Sequence, residues 1–213
     1  MTWWGVFRSK YDNNNNAEKV LTNVNYRPKN DGTYFLIYSA SNCVNFRDAA
    51  FEQLAKIDIV HYGGRCRGPT QNPNKTYYEN KVSLRNWWDN VNTYKPFKFC
   101  LVMEHSNHVG YITEKILMAF LSGCIPIYYG SIRIYEFFNK ESFIYYNISN
   151  PQLALQRIQY LHTNQTAYDE VFSHPILVDG AIEKFFSFSD DVGGGVLKHK
   201  IRHKLGIDQF EFV

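Results

Sequence analysis

Hydrophobic positions change their period in a regular order along this chain, and the order predicts alternating strands and helices. Residues 33–38 form a short run of aromatic and branched side chains, the signature of a strand. Asn45 then offers a helix cap, and Phe46, Ala49, Ala50, Leu54 and Ile57 recur at helical spacing. Residues 57–62 read as a second buried strand closed by Gly63 and Gly64. The pattern returns downstream, where 97–103 predicts a strand, 111–121 a helix stopped by Gly123, and 124–129 another strand. Pro126 is awkward there, because a central ladder position needs an N–H. Asn150 and Pro151 open an amphipathic helix, with the proline at its first position and Leu153, Leu155, Ile158 and Leu161 following. Strands alternating with helices imply an α/β fold, a Rossmann-like parallel sheet with flanking helices.

Boundaries follow from where the pattern is missing. Residues 1–32 include four consecutive asparagines and the stretch Tyr26-Arg27-Pro28-Lys29-Asn30, so they read as a poorly structured N-terminal segment. Residues 33–187 form the α/β domain. Residues 188–213 form a tail in which Gly193, Gly194 and Gly195 break the chain before the basic stretch 198–204, a solvated helix or a partner contact.

Composition narrows the functional classes. With 213 residues and 45% hydrophobic content, the chain can bury a sizeable core. Its net charge of +3 and lack of long basic runs leave out the electrostatic footprint of a nucleic-acid binder. The 17% aromatic content suits stacking on sugars or bases, although buried aromatics account for it equally well. Cys43, Cys66, Cys100 and Cys124 lie far apart with no Cys-x-x-Cys pair, which reads as reduced, buried thiols and not as a zinc site or a disulfide framework. The first 30 residues hold no apolar run suited to a signal peptide or membrane anchor, so the chain as written reads as soluble. Asn74, Asn147 and Asn164 lie in sequons, which matter only in a secretory compartment.

The most informative stretch is 97–130. A strand leads into the polar turn Glu104-His105-Ser106-Asn107-His108-Val109-Gly110, and the turn leads into Tyr111-Ile112-Thr113-Glu114-Lys115. In open parallel sheets ligands bind at such strand-to-helix turns, and a helix start favours an anion. Lys115 can neutralise a phosphate, while the carboxylate of Glu114 can accept from two neighbouring ribose hydroxyls. The residues therefore suit a nucleotide diphosphate. His105 with His108, or His199 with His203, could chelate a metal, but neither pair has a third ligand nearby. No Asp-x-Asp pair is present to hold a divalent ion, so fixed cations are expected to hold the diphosphate.

These residues, at this spacing, resemble the signature of the family-ten glycosyltransferases, the α1,3/α1,4-fucosyltransferases. That signature has the form Phe-x-x-x-Glu-Asn-Ser, a short spacer, Tyr-[Val/Ile]-Thr-Glu-Lys and, later, Pro-[Ile/Val]-x-x-Gly. It is met here by 111–115 and by Pro126-Ile127-Tyr128-Tyr129-Gly130, and approached by residues 99–106, where four residues separate Phe99 from Glu104 and His105 stands for the asparagine. Residues 41–47, from Ser41-Asn42 to Arg47, are similar to the family segment whose arginine contacts the donor phosphates. Tyr160, Leu161, His162 and Tyr168 are similar to a helix pair that follows the motif in bacterial members.

The resemblance, over roughly residues 33–178, implies the C-terminal donor-binding lobe of a two-lobed GT-B enzyme. It implies inverting transfer of fucose from GDP-fucose, as donor substrate and without a cofactor or metal, to a hydroxyl of a glycan or glycoconjugate. Arg47, Asn42, Tyr111, Glu114, Lys115 and His105 are the expected donor-binding residues. His105 departs from the family's asparagine, which alters a hydrogen bond near the donor. Glu104 is expected to act as a positioning carboxylate. The family keeps its acceptor lobe and catalytic carboxylate in a long N-terminal region, and only about 32 residues precede the first strand here. The general base that such transfer requires is left unassigned, because Asp12, Glu18 and Asp31 lie in a segment without the family's pattern. The alternative reading is a non-catalytic nucleotide-sugar-binding protein, or half of a split enzyme that works beside a separate acceptor-lobe chain.

Overall fold

The computed structural model describes residues 17–30, 32–79, 90–182, 184 and 196–207. Asp12, Asp31 and the glycines at 193–195 fall outside the described residues. Six parallel strands form one sheet: β1 (Tyr34–Tyr38), β2 (Val60–Tyr62), β3 (Lys75–Tyr77), β4 (Phe97–Leu101), β5 (Ile125–Tyr128) and β6 (Ile144–Tyr145). Their spatial order is β3-β2-β1-β4-β5-β6. The helices are α1 (Ala17–Thr22), α2 (Asn45–Leu54), α3 (Asn90–Tyr94), α4 (Lys115–Leu121), α5 (Gln152–Thr163), α6 (Gln165–Val171) and α7 (Val196–Lys204). The predicted parallel α/β architecture is therefore the one observed.

Period-two alternation sends successive strand residues to opposite faces. Leu36, Tyr38, Phe99, Leu101, Ile125 and Ile127 join a cluster with Phe51 and Leu54 of α2, Ile158 and Leu161 of α5, and Tyr168 of α6. Ile37, Cys100, Val102 and Tyr128 face the other way, onto α4, Leu21 of α1 and Val91 of α3. The sheet is thus covered on both faces, as a parallel sheet requires.

Pro126 sits inside a central strand, and the hydrogen bonds explain how. Val102 donates to the carbonyl of Ile127, while Tyr146 donates to that of Tyr128, so alternate residues of β5 face β4 and β6. Pro126 shares the β6-facing side with Tyr128, and β6 begins only at Ile144, opposite Ile127. Its missing donor therefore falls where that ladder has not yet started.

Several boundaries differ from the sequence reading. Asn45 is the first helical residue and Val44 is the cap, without a side-chain bond. Pro151 is itself the cap of α5. The second strand shortens to Val60–Tyr62 because Ala55 and Ile57 still donate back into the end of α2. Residues 17–30 are ordered: Leu21 is buried, and the Arg27 guanidinium donates to the carbonyls of Val171 (2.6 Å), His174 (2.8 Å) and Ser142 (3.0 Å).

The cysteines are the largest correction, for they form two disulfides and none is a free thiol. Parallel pairing of β4 with β5 brings Cys100 within 6.0 Å, Cα to Cα, of Cys124. Adjacency of β1 and β2 brings Cys43, in the loop after one, within 5.2 Å of Cys66, in the loop after the other. Separations of 23 and 24 residues carry no hint of this in sequence.

Candidate donor-binding site

The strand order reverses direction between β1 and β4, and in such sheets the crevice beyond the carboxyl ends of these two strands receives ligands. Both loops singled out by sequence open there. Arg47 lies in the first turn of α2 and is only 4% exposed. Its Nε donates to the carbonyl of Glu104 and a terminal nitrogen donates to the carbonyl of Asn42, each at 3.3 Å. One guanidinium thus ties the loop after β1 to the loop after β4.

Glu104 extends the ladder beyond β4, donating its N–H to the Tyr129 carbonyl at 2.7 Å. Its carboxylate is fully buried, which is unfavourable for a charge unless donors surround it. Three do. The Thr113 amide donates to Oε1 at 2.6 Å, the Thr113 hydroxyl lies 2.8 Å from both oxygens, and Lys115 Nζ donates to Oε2 at 3.0 Å. Lys115 also donates to the Thr113 hydroxyl at 2.8 Å. An ammonium has three donors, so one is left for a ligand. The Lys115 side chain is 28% exposed and can present it to the crevice.

This carboxylate accounts for another correction. The helix predicted from residue 111 starts at Lys115, and residues 111–114 form a connection whose Thr113 amide is given to Glu104 and not to a turn of helix. The negative group nearest the start of α4 is therefore the protein's own.

Glu114 is half-buried at the cap position of α4. Burial pushes its carboxyl above the ordinary carboxylate value, Glu104 pushes it further, and Lys115 opposes the shift. Tyr111 shares a hydrogen bond with His105 Nδ1 at 3.1 Å, and the two rings meet edge to face. Burial raises the Tyr111 phenol, with Glu104 and Glu114 adding to the effect. Asn42 takes part through its carbonyl, and its side chain is on the exposed loop.

The structure thus brings Arg47, Glu104, Tyr111, Glu114, Lys115 and His105 to one end of the sheet. Sequence reading named Thr113 and Gly130 within the motif without giving either a role, and it missed Ser131. Thr113 links the carboxylate to the lysine, and its position two residues before Lys115 was the available signal. Ser131 is buried and accepts from the Gly110 amide at 3.0 Å, anchoring the polar turn. A Cβ at Gly130 would collide with the Tyr128 hydroxyl and come within 2.8 Å of Glu104 Cγ, so glycine is what allows the carboxylate its place.

Among the described residues no group of three or more His, Cys, Asp or Glu side chains is arranged to hold a metal. Within the same residues no helix is long and apolar enough to cross a membrane. Cavities of about 700 and 650 Å³ lie beside β6, around Tyr135 and Tyr145, and beside β3, around Arg67 and Lys75. Neither is lined by the crevice residues. We place the site by the convergence of charged side chains at the switch point, because the chemistry lies there.

Residues 28–175 match the family model for glycosyltransferase family 10 (fucosyltransferase) C-term. The α-(1,3)-fucosyltransferase FucT of Helicobacter pylori is 34% identical over 146 residues, covering 67% of this chain and 28% of that protein. A crystal structure of an α1,3-fucosyltransferase is 32% identical, with a TM-score of 0.53, covering 68% of this chain and 39% of that one. An α1,3-fucosyltransferase crystallised with GDP-fucose is 26% identical, with a TM-score of 0.59, covering 97% of this chain and 55% of that one. This chain therefore spans about half or less of the length of these relatives. The matched residues include the whole crevice described above, and the chain belongs to glycosyltransferase family 10, the fucosyltransferases, through their C-terminal region.

Proposed function

We propose that this chain is the donor-binding lobe of a GT-B fucosyltransferase, holding GDP-fucose for inverting, metal-independent transfer to a hydroxyl of a glycan or glycoconjugate. The observation that carries this reading is the meeting of Arg47 with the Glu104–Thr113–Lys115 cluster at the switch point between β1 and β4. Crystal structures of α1,3-fucosyltransferase with GDP and with GDP-fucose, both similar to this chain, support the choice of donor.

In this reading Arg47 and the remaining donor of Lys115 face the diphosphate. Charge grows on the leaving GDP as the bond to fucose breaks, and fixed cations in a half-buried site favour that state without reorganising. Glu104 acts through Lys115 and Thr113, setting the ammonium's place. Its full burial and saturated oxygens leave it no access to an acceptor hydroxyl, so it is a positioning residue. Glu114 accepts from the ribose hydroxyls, and Tyr111 and His105 close the rim.

Calorimetric titration of the purified chain with GDP, GDP-fucose and UDP-sugars tests the reading. Binding of both guanine nucleotides in preference to UDP-sugars is expected. Equal binding of UDP-sugars, or no nucleotide binding, would overturn it.

A further inference from the structure

The loop that carries Asn42 toward Arg47 is held from its other side by a feature the fucosyl chemistry does not itself require. Cys66 is buried in the loop after β2 and bonded to Cys43, one residue beyond Asn42. The Cys66 amide donates to the Ala40 carbonyl at 3.1 Å, and Arg65 donates to the Ser41 carbonyl at 3.1 Å. Gly64 passes so close to Ala40 that a Cβ there would overlap the Ala40 backbone. Residues 40–43 are therefore clasped by three consecutive residues of the neighbouring loop, with the disulfide as the covalent member.

We propose that the Cys43–Cys66 disulfide is a positioning element of the donor site. It fixes the loop after β1 so that the Asn42 carbonyl holds the Arg47 guanidinium ready for the diphosphate. The inference rests on the donor-binding reading above and extends it to a group that touches no ligand. The physical ground is preorganisation: a loop already ordered before binding does not have to be ordered at the expense of affinity. The second disulfide joins β4 to the start of β5 inside the sheet, so it serves as an internal control.

Cys43 lies on the exposed side of the loop, which gives a thiol reductant a route to the bond. Dithiothreitol attacks one sulfur as a thiolate and expels the other as a thiol. Its second thiol then attacks the resulting mixed disulfide and releases the first cysteine, so the protein's bond takes up two electrons and two protons and dithiothreitol is oxidised to its cyclic disulfide.

The test measures GDP affinity by calorimetry, before and after dithiothreitol, for the natural chain, a Cys43→Ser/Cys66→Ser double variant and a Cys100→Ser/Cys124→Ser double variant. Mass spectrometry counts the thiols, and circular dichroism checks the fold. Reduction is expected to weaken GDP binding about three- to tenfold in the natural chain and in the variant lacking Cys100 and Cys124, the equivalent of ordering one loop. The variant lacking Cys43 and Cys66 should start weak and not respond. Unchanged affinity with Cys43 and Cys66 counted as thiols would overturn the proposal, as would failure to find the bond in the purified chain.

Amide exchange over residues 39–47 is measured alongside, without nucleotide. Faster exchange on reduction supports the clasp, and unchanged exchange overturns it. If GDP binds in neither redox state, the donor-binding reading falls and this exchange result still decides the role of the bond in the loop.

Discussion

At the scale of single residues, the proposal gives Lys115 two duties that mutation can separate. Lys115→Ala removes a charge-assisted phosphate contact, which is expected to weaken GDP binding about ten- to a hundredfold, or roughly 1.5–3 kcal/mol. It also leaves the fully buried Glu104 carboxylate with Thr113 alone, so stability should fall by roughly 1–3 kcal/mol. Adding Glu104→Gln neutralises the stranded charge and should recover much of the stability but none of the affinity, as read by urea denaturation and calorimetry. If affinity returns with stability, Lys115 is only structural. Glu114 makes a pH-dependent case. Its folded carboxyl is raised above the ordinary value of 4.5, chiefly by burial, so the folded state binds the proton more tightly than the unfolded chain. Stability contributed by protonation is full below the ordinary value and is lost as pH rises through the raised one. Glu114→Gln should therefore be more stable than the natural chain at neutral pH, and the difference should close as pH falls below about 4.5. Denaturation midpoints across that range check it, and a gap that widens on acidification would refute the assignment.

At the scale of elements, Arg27 decides whether the segment before β1 belongs to the domain. Burial lowers its guanidinium to about 10, yet three carbonyls from two distant regions and the Phe172 ring hold it. Arg27→Ala should cost roughly 3 kcal/mol or more in unfolding free energy, and Arg27→Lys should restore only part, because an ammonium lacks the planar fork. A loss under about 0.5 kcal/mol would mean the segment is only draped on the surface. The same comparison explains what could be read from sequence. Strands and helices were legible because burial imposes their patterns locally: Tyr34–Tyr38 and Phe97–Leu101 are nearly continuous apolar runs, as strands covered on both faces require. The crevice residues were legible through motif spacing, which set Arg47, Glu104 and Lys115 apart before any contact was known. Arg27 and the disulfides were not legible, because their partners are distant in sequence. Val171 lies 144 residues from Arg27, and Cys66 becomes a neighbour of Cys43 only once β1 and β2 pair. The start of α4 was misjudged for a similar reason, since residues 111–114 have an acceptable helical pattern until Glu104 claims the Thr113 amide.

At the scale of the whole molecule, the question is which parts of a transfer reaction one sheet can supply. In the proposed reading donor binding needs only the crevice at the ends of β1 and β4, with side chains as its cations, so GDP affinity should be the same in EDTA and in added magnesium or manganese. An ion requirement would mean that the diphosphate is held by a metal and not by Arg47 and Lys115. Transfer needs more. An acceptor hydroxyl has to be oriented toward the sugar and relieved of its proton, and general-base help is worth about 10²–10⁴-fold in rate. Of the carboxylates at the crevice, Glu104 is fully buried with its oxygens engaged by Thr113 and Lys115, and the proposal assigns Glu114 to the ribose. Neither is free to take that proton. This chain spans 55% of the relative crystallised with GDP-fucose, so the chain alone is expected to bind that donor and to transfer fucose at least 10²-fold more slowly than a full-length relative. Labelled GDP-fucose with N-acetyllactosamine and simple sugar acceptors, scored for transfer and for hydrolysis, measures this directly. Fast transfer by the chain alone would place the base within these 213 residues and send the search to single substitutions of Glu104, Glu18, Asp31 and Asp12. Binding without transfer, restored by a separately produced acceptor lobe, would locate the proton acceptor outside this sheet and leave Arg47 and Lys115 as the groups that hold the departing GDP.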